Sequence, residues 1–238
     1  MTTVTVLTSH GQLLTKVHKR LDDGSIQTKP YANAKSFSAE LVPLSSIYDF
    51  AALLGELQGE AYKAIIRGEP RPGADLKNLN RKMSPPNSHD DREPDIVPNL
   101  EGKRWLKLDL DNLAMPRSDA LEYDGDSITG VRDPQAAVRS IITTYLPEYF
   151  HGVTTYYSFS ASAGIKPWTE VRLGLYYFMK TPVPDKALRL WAKRLGAIDP
   201  AVFTPNQLNY TAAPLVFRMD DPCAGWRSGL IEGKAWTS

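Results

Sequence analysis

A single cysteine, Cys223, stands among 238 residues, so no disulfide can close within the chain and a cysteine-built zinc cluster has too few ligands. The four histidines, His10, His18, His89 and His151, are scattered and form no HxH or HExxH pair. That argues against histidine-based metal hydrolysis and against two-histidine nicking chemistry. No apolar run approaches the roughly 18–20 residues that a membrane span needs. The first twenty residues also lack an apolar stretch of signal-peptide length. No GxxxxGKS or GxxxxGKT phosphate loop occurs. Charge of neither sign dominates: 28 basic against 27 acidic residues leave a net charge of +1, so any surface for nucleic acid has to be local. A content of 42% hydrophobic and 23% charged residues suffices for a sizeable globular core. With the lone cysteine, it leads to the expectation of a cytoplasmic location. Internal repeats and low-complexity tracts are absent.

Residues 1–45 read as short strands and turns, with Asp22-Asp23-Gly24 as a hairpin tip. A helix is predicted over about 46–67, capped by Ser46. Phe50, Leu53, Leu54, Leu57, Ala61 and Ile65 form its buried face and Gly68 is its stop. Residues 1–68 are thus expected to form an N-terminal unit. Residues 69–100 change character: six prolines (70, 72, 85, 86, 94, 98) and many charges predict an exposed linker, or a loop that orders on a ligand. From about residue 101 to 222 strands alternate with two helices. The strands are predicted at Lys103–Asp111, Val153–Ser160, Val171–Met179, Ala197–Asp199 and Tyr210–Phe217. The helices are predicted at Asp133–Leu146, with Asp-Pro at its start, and Lys186–Leu195. This pattern predicts an α+β (α/β-like) sheet layered with helices. Residues 223–238 are expected to be a tail, and the close at Lys234–Ser238 reads as a cut within something longer.

The most informative stretch is Trp105-Leu-Lys-Leu-Asp-Leu-Asp111-Asn112. On a strand, Leu106, Leu108 and Leu110 share one face while Lys107, Asp109 and Asp111 share the other. Two acids at this spacing lie roughly 7 Å apart at their backbones, close enough to converge on a hard divalent cation such as Mg²⁺ or Mn²⁺. Without one they repel, or serve only as exposed acids before a turn. Asp199, after a short apolar stretch, is either a third ligand or the N-cap of a turn closed by Pro200. Asp220-Asp221 competes for the ligand role from what reads as a surface turn.

Between these acids lies Ser158-Phe-Ser160-Ala-Ser162-Ala-Gly164-Ile-Lys166. It is either a generic small-residue loop or an anion cradle in which free backbone N–H groups and Lys166 meet phosphate. On the next strand Arg172, Gly174 and Tyr176 share a face. Glycine inside a strand often marks a close approach, and Arg172 suits either a triphosphate or a surface ion pair.

Together these residues resemble the archaeo-eukaryotic primase superfamily, in its phage, plasmid and integrative-element primase-polymerase branch. Leu108-Asp109-Leu110-Asp111 matches the first family motif. Ile198-Asp199 matches the third, followed by Phe203, Pro205, Gln207, Tyr210, Thr211, Ala212 and Pro214 in the order and spacing of mobile-element members. The second motif departs from the pattern. Arg172-Leu173-Gly174 puts glycine where the family carries a phosphate-contacting histidine, and Ser160-Ala161-Ser162 also lacks it.

The resemblance spans roughly residues 100–222 and implies an RRM-like palm beside a small N-terminal α/β unit. Asp109, Asp111 and Asp199 would hold Mg²⁺ or Mn²⁺. Ser160, Ser162, Lys166, Arg172, Gln207 and Tyr210 would contact an NTP or dNTP. Lys186, Arg189, Lys193 and Arg194 are either a solvated helix face or contacts to a single-stranded DNA template. The implied activity is nucleotidyl transfer as a DNA primase or polymerase, with a replicative helicase in the same or another chain as a partner. A weak or inactive replication initiator with a primase fold is the alternative reading; a sugar-nucleotide transferase that uses Asp-x-Asp is the second.

Overall fold

Threonine and valine alternate in Thr2-Thr-Val-Thr-Val-Leu-Thr-Ser9, and β-branched side chains of this kind fit a pleated surface. This segment is the central strand of the N-terminal half in the computed structural model, which describes residues 1–81 and 94–235. Among the described residues, the elements before residue 100 are β1 (Thr2–Ser9), β2 (Val17–Arg20), β3 (Ile26–Lys29), β4 (Ser36–Leu44), α1 (Ile47–Leu57), β5 (Lys63–Ile66), β6 (Glu69–Pro70), β7 (Leu79–Asn80) and β8 (Ile96–Val97). There follow β9 (Lys103–Ala114), β10 (Leu121–Asp124), β11 (Ser127–Val131), α2 (Pro134–Tyr145), β12 (Thr155–Phe159), β13 (Glu170–Val183), α3 (Asp185–Leu195), β14 (Asn209–Tyr210), β15 (Leu215–Phe217) and β16 (Ser228–Ile231). The chain is mixed α+β, as expected. None of its described helices is long and apolar enough to cross a membrane.

The N-terminal sheet runs β14-β5-β1-β4-β7. One face, with Val4, Val6 and Ile65, packs on Phe50, Leu54 and Leu57 of α1. The other, with Leu7, Ala64 and Ile66, packs on Leu14, Phe37 and Leu79. The predicted Asp22–Gly24 tip turns β2 into β3, with Gly24 at φ 83°. Helix α1 starts where expected: Ser46 Oγ accepts from Asp49 N while Asp49 Oδ2 accepts from Ser46 N, a reciprocal capping box.

Its end differs from the expectation. The helix closes at Gln58, and Ala64-Ile-Ile66 belong to β5, paired with β1. Ala61 and Ile65 fell into helical phase by coincidence, and two adjacent isoleucines prefer the strand. Gly68 is therefore not a helix stop. A Cβ there would lie 2.6 Å from Ile96 Cγ2 and 2.8 Å from the Pro205 carbonyl oxygen, so glycine lets the 205–212 segment pass against β5.

The proline-rich stretch is not wholly linker. Glu69 accepts from Lys103 Nζ and Thr3 Oγ1, β7 pairs with β4, and β6 pairs with β8. The charged run His89–Glu93 and Lys82 lie outside the described residues, and Arg81 stands at their edge.

The second sheet runs β16-β12-β13-β9, all antiparallel. Leu106, Leu108, Leu110, Leu173, Leu175 and Tyr177 face α2 and α3 across one apolar cluster with Ile141 and Leu188. Helix α2 begins as predicted, with Asp133 Oδ1 accepting from Ala136 N ahead of Pro134.

Strand β9, helix α2 and strand β12 form a split unit with β13 inserted between the two strands. After α3, the segment predicted as a strand at 197–199 is irregular. Even so, Asp199 N donates to the Asp109 carbonyl at 3.2 Å along the free edge of β9. The predicted strand at 210–217 is split into β14 and β15. Residues 228–231, expected in a tail, supply the opposite edge, β16.

The two sheets share a core. Trp105, Tyr156 and Tyr176, on the second sheet, pack into the α1 cluster with Phe50 and Leu54. The Arg67 guanidinium, fully buried, crosses the junction. Its Nε donates to Asp185 Oδ1 at 2.6 Å and its Nη1 to the Trp105 carbonyl at 2.5 Å.

Candidate active site

The face of the second sheet turned away from α2 and α3 carries two kinds of row. Cross-strand pairing puts Tyr156, Tyr176 and Lys107 side by side, and next to them Ser158, Gly174 and Asp109. One step further, Arg172 lies opposite Asp111. The aromatic row is covered by the N-terminal half, whereas the Ser158–Asp109 row floors a cavity of 230 Å³. The alternation read from Lys103–Asp111 therefore holds: leucines to the core, Lys107, Asp109 and Asp111 to the cleft. Immediately beyond, Asn112 adopts φ 60° where the β9–β13 register shifts. Asparagine tolerates this left-handed conformation, and the irregularity ends the regular ladder beside the two acids.

Asp109 and Asp111 keep 38% and 50% of their side chains exposed. Asp111 Oδ1 meets Arg172 Nη1 at 3.2 Å, and Arg172 also binds Glu170. Asp109 Oδ1 lies 3.9 Å from Lys107 Nζ. Asp199 lines the same cleft and is exposed. Its Oδ1 accepts from Ala201 N at 2.8 Å, so it does cap the turn Pro200–Phe203 while its main chain is joined to that of Asp109.

As the side chains stand, no three carboxylate, histidine or cysteine groups among the described residues gather around one point. The donor chemistry nevertheless fits a hard cation. Two carboxylates share a strand face, neither accepts from a backbone N–H among the described residues, and Mg²⁺ characteristically takes one or two carboxylates.

The serine-rich loop forms one wall. Ser160 and Ser162 line the cleft, and Ser162 Oγ accepts from Lys16 Nζ at 2.6 Å. Lys16 was not foreseen. Burial holds its ammonium below the ordinary lysine value, and the nearby charges of Lys166 and Arg172 push the same way against Asp111. Lys166 itself is exposed and stands outside the lining.

Gln207 and Tyr210 line the cleft, as the Phe203–Pro214 run implied. Tyr210 stacks on Tyr31, with centroids 3.8 Å apart and planes 6° off parallel. Burial raises the Tyr31 hydroxyl's pKa, and Asp109 and Asp111 raise it further. Arg227, from the expected tail, is buried and binds Asp221 and the carbonyls of Phe159 and Ser160. Asp221 is thus occupied as a structural partner. Burial alone would raise its carboxyl, but the Arg227 hydrogen bonds outweigh burial and hold it below the usual range.

The four cations expected on the second helix do not join the cleft. Leu188 and Ala192 bury α3 on the opposite face of the sheet. There Lys186, Arg189 and Lys193 border a separate groove with Pro98, Leu190, Phe203 and Pro205, and Arg194 is exposed nearby on the helix. Lys16, Tyr31, Lys107 and Arg227 are the cleft residues that reasoning from sequence passed over. Only Lys107 carried a signal, its shared phase with Asp109. Compared with protein-family models, curated proteins and solved structures, the chain finds no match in any of the three.

Proposed function

We propose that the chain is a primase-polymerase module that joins NTPs or dNTPs on a single-stranded DNA template with Mg²⁺ or Mn²⁺. The observation that carries this reading is one cleft with two chemistries. Asp109 and Asp111 stand on its floor, Lys16 and Arg172 flank them, and a stacked tyrosine pair lies beside them. Divalent ions at the carboxylates would lower the pKa of an attacking 3′-hydroxyl and neutralise charge developing at the α-phosphate as the new P–O bond forms, the α–β anhydride breaks and pyrophosphate leaves.

The chain's own groups do the rest. Lys16 and Arg172 meet the anionic tail as charge-assisted donors. The Ser160–Ser162 loop offers short polar side chains to the same anion. Tyr31 and Tyr210 present aromatic surface of the kind on which bases stack.

The fold is in keeping with a palm. The order β12-β13-β9, continued by the Ile198–Asp199 segment on the free edge of β9, places the third acid next to the first along the main chain. A sugar-nucleotide transferase is a poorer fit, because residues 1–45 form antiparallel strands and no nucleotide-binding strand–turn–helix.

The test is primer synthesis and extension on single-stranded DNA with Mg²⁺ or Mn²⁺. Wild type is expected to incorporate nucleotides, and Asp109→Ala/Asp111→Ala to fall by at least about 10²-fold, the scale of removing a positioned electrostatic group. Equal signal from the two proteins refutes the proposal. DNA binding without incorporation turns it into an initiator module that has kept the fold.

A further inference from the structure

We propose that Lys107 is a further phosphate-contacting cation beside Lys16 and Arg172, on the cleft floor, and that glycine at 174 leaves room for its side chain. The inference rests on the nucleotide reading above and adds a specific contact to it.

The other cations lining the cleft are engaged. Lys16 donates to Ser162 Oγ and sits 5.1 Å over the Tyr31 ring. Arg172 is held by Asp111 and Glu170. Arg227 is held by Asp221 and two carbonyls. Lys107 differs. Its side chain is only 9% exposed, and among the described residues its Nζ makes no hydrogen bond; its nearest carboxylate oxygen, Asp109 Oδ1, is 3.9 Å away. Charge-assisted N–H···O bonds run at about 2.7–2.9 Å, so this pair is loose. The apolar stem is buried while the ammonium lines the open cleft, where a bound anion can meet it.

The neighbouring glycine points the same way. Lys107 pairs across the strands with Tyr176 and lies diagonal to Gly174, within the reach of a long side chain. A Cβ at residue 174 would meet Lys107 Cε and Tyr176 Cε2, both at 3.4 Å, in ordinary contact, and a branched side chain would need space that the lysine and the tyrosine ring share. Gly174 is also one of the two positions where the family resemblance leads one to expect histidine, and β9 delivers an ammonium beside it.

The experiment uses the full chain and isothermal titration with Mn²⁺ and the α,β-imido analogue of ATP, compared with AMP. Wild type is expected to prefer the triphosphate. Lys107→Gln should weaken triphosphate binding by about 10- to 150-fold, the range for one hydrogen bond to a charged group. AMP binding should be little changed, and Lys107→Arg should keep most of the preference. Gly174→Val, which leaves the lysine in the sequence but displaces it, should reproduce the loss.

Equal binding by wild type and Lys107→Gln overturns this inference and leaves the nucleotide reading standing. So does a Lys107→Gln protein that loses triphosphate and AMP affinity alike, or a Gly174→Val protein that retains the preference. Failure of wild type to bind either nucleotide overturns both.

Discussion

Replacing Arg67 by methionine tests how the two halves are joined. The guanidinium has no solvent exposure and the Asp185 side chain is 7% exposed, at a separation of 2.6 Å. Among the described residues Asp185 Oδ2 makes no hydrogen bond, so Arg67 is the hydrogen-bonded partner of this carboxylate. The arginine also lies 4.7 Å from the Trp105 ring and donates to the Trp105 carbonyl.

Removing one member of a buried pair leaves an uncompensated charge and typically costs 3–5 kcal/mol, whereas removing both costs far less. Arg67→Met is therefore expected to lose about 3–5 kcal/mol, or roughly 6–20 °C in Tm for a chain of this size. Asp185→Asn should cost a similar amount in the wild-type background and about 1 kcal/mol or less once Arg67 is gone. Urea unfolding followed by tryptophan fluorescence measures the cycle, with Trp105 at the junction as a reporter. A loss below about 1 kcal/mol for Arg67→Met, or strictly additive single losses, would refute the assignment of this pair as the pin.

His18 supplies a pH dependence. Its Nε2 donates to the Ala161 carbonyl at 2.7 Å and its Nδ1 accepts from Thr28 Oγ1 at 2.9 Å, a pairing that suits the neutral ring. Burial lowers its pKa, opposed in part by the bond to Ala161. The unfolded chain therefore takes up a proton below about pH 6.5 before the folded chain does. Stability should fall as pH drops below that value and level off beneath the folded pKa. His18→Gln should flatten the profile between pH 7.5 and 5 in urea titrations, and an unchanged slope would count against the assignment. Gly68→Ala should cost about 1–3 kcal/mol through the clash with the Pro205 carbonyl, read as a lower Tm, and a wild-type Tm would show that the 205–212 segment yields freely.

The parts legible in the sequence were those set by local chemistry. The leucine–charge alternation of 105–111 specified both faces of β9. Ser46, and Asp133 with Pro134, specified two helix starts. Gln207 and Tyr210 were flagged by the order of their neighbours and do line the cleft. Signals failed where tertiary pairing decides. Ile65 sits in helical phase with α1 yet pairs with β1, and Ser228–Ile231 becomes a strand only because β12 offers an edge. Lys16 and Tyr31 reach the cleft from loops more than 75 residues upstream of Asp109, and no periodicity records so distant a closure. Asp199 is the N-cap of its turn, one of the two readings open to it, and the cap uses one carboxylate oxygen while the residue stands on the cleft wall.

Because Trp105, Tyr156 and Tyr176 take their cover from α1, residues 101–222 are not a portable cassette. Transplanting that stretch alone would lay bare three large aromatic rings and invite clumping. A graft of residues 101–222 onto any other scaffold has to carry the first 68 residues along.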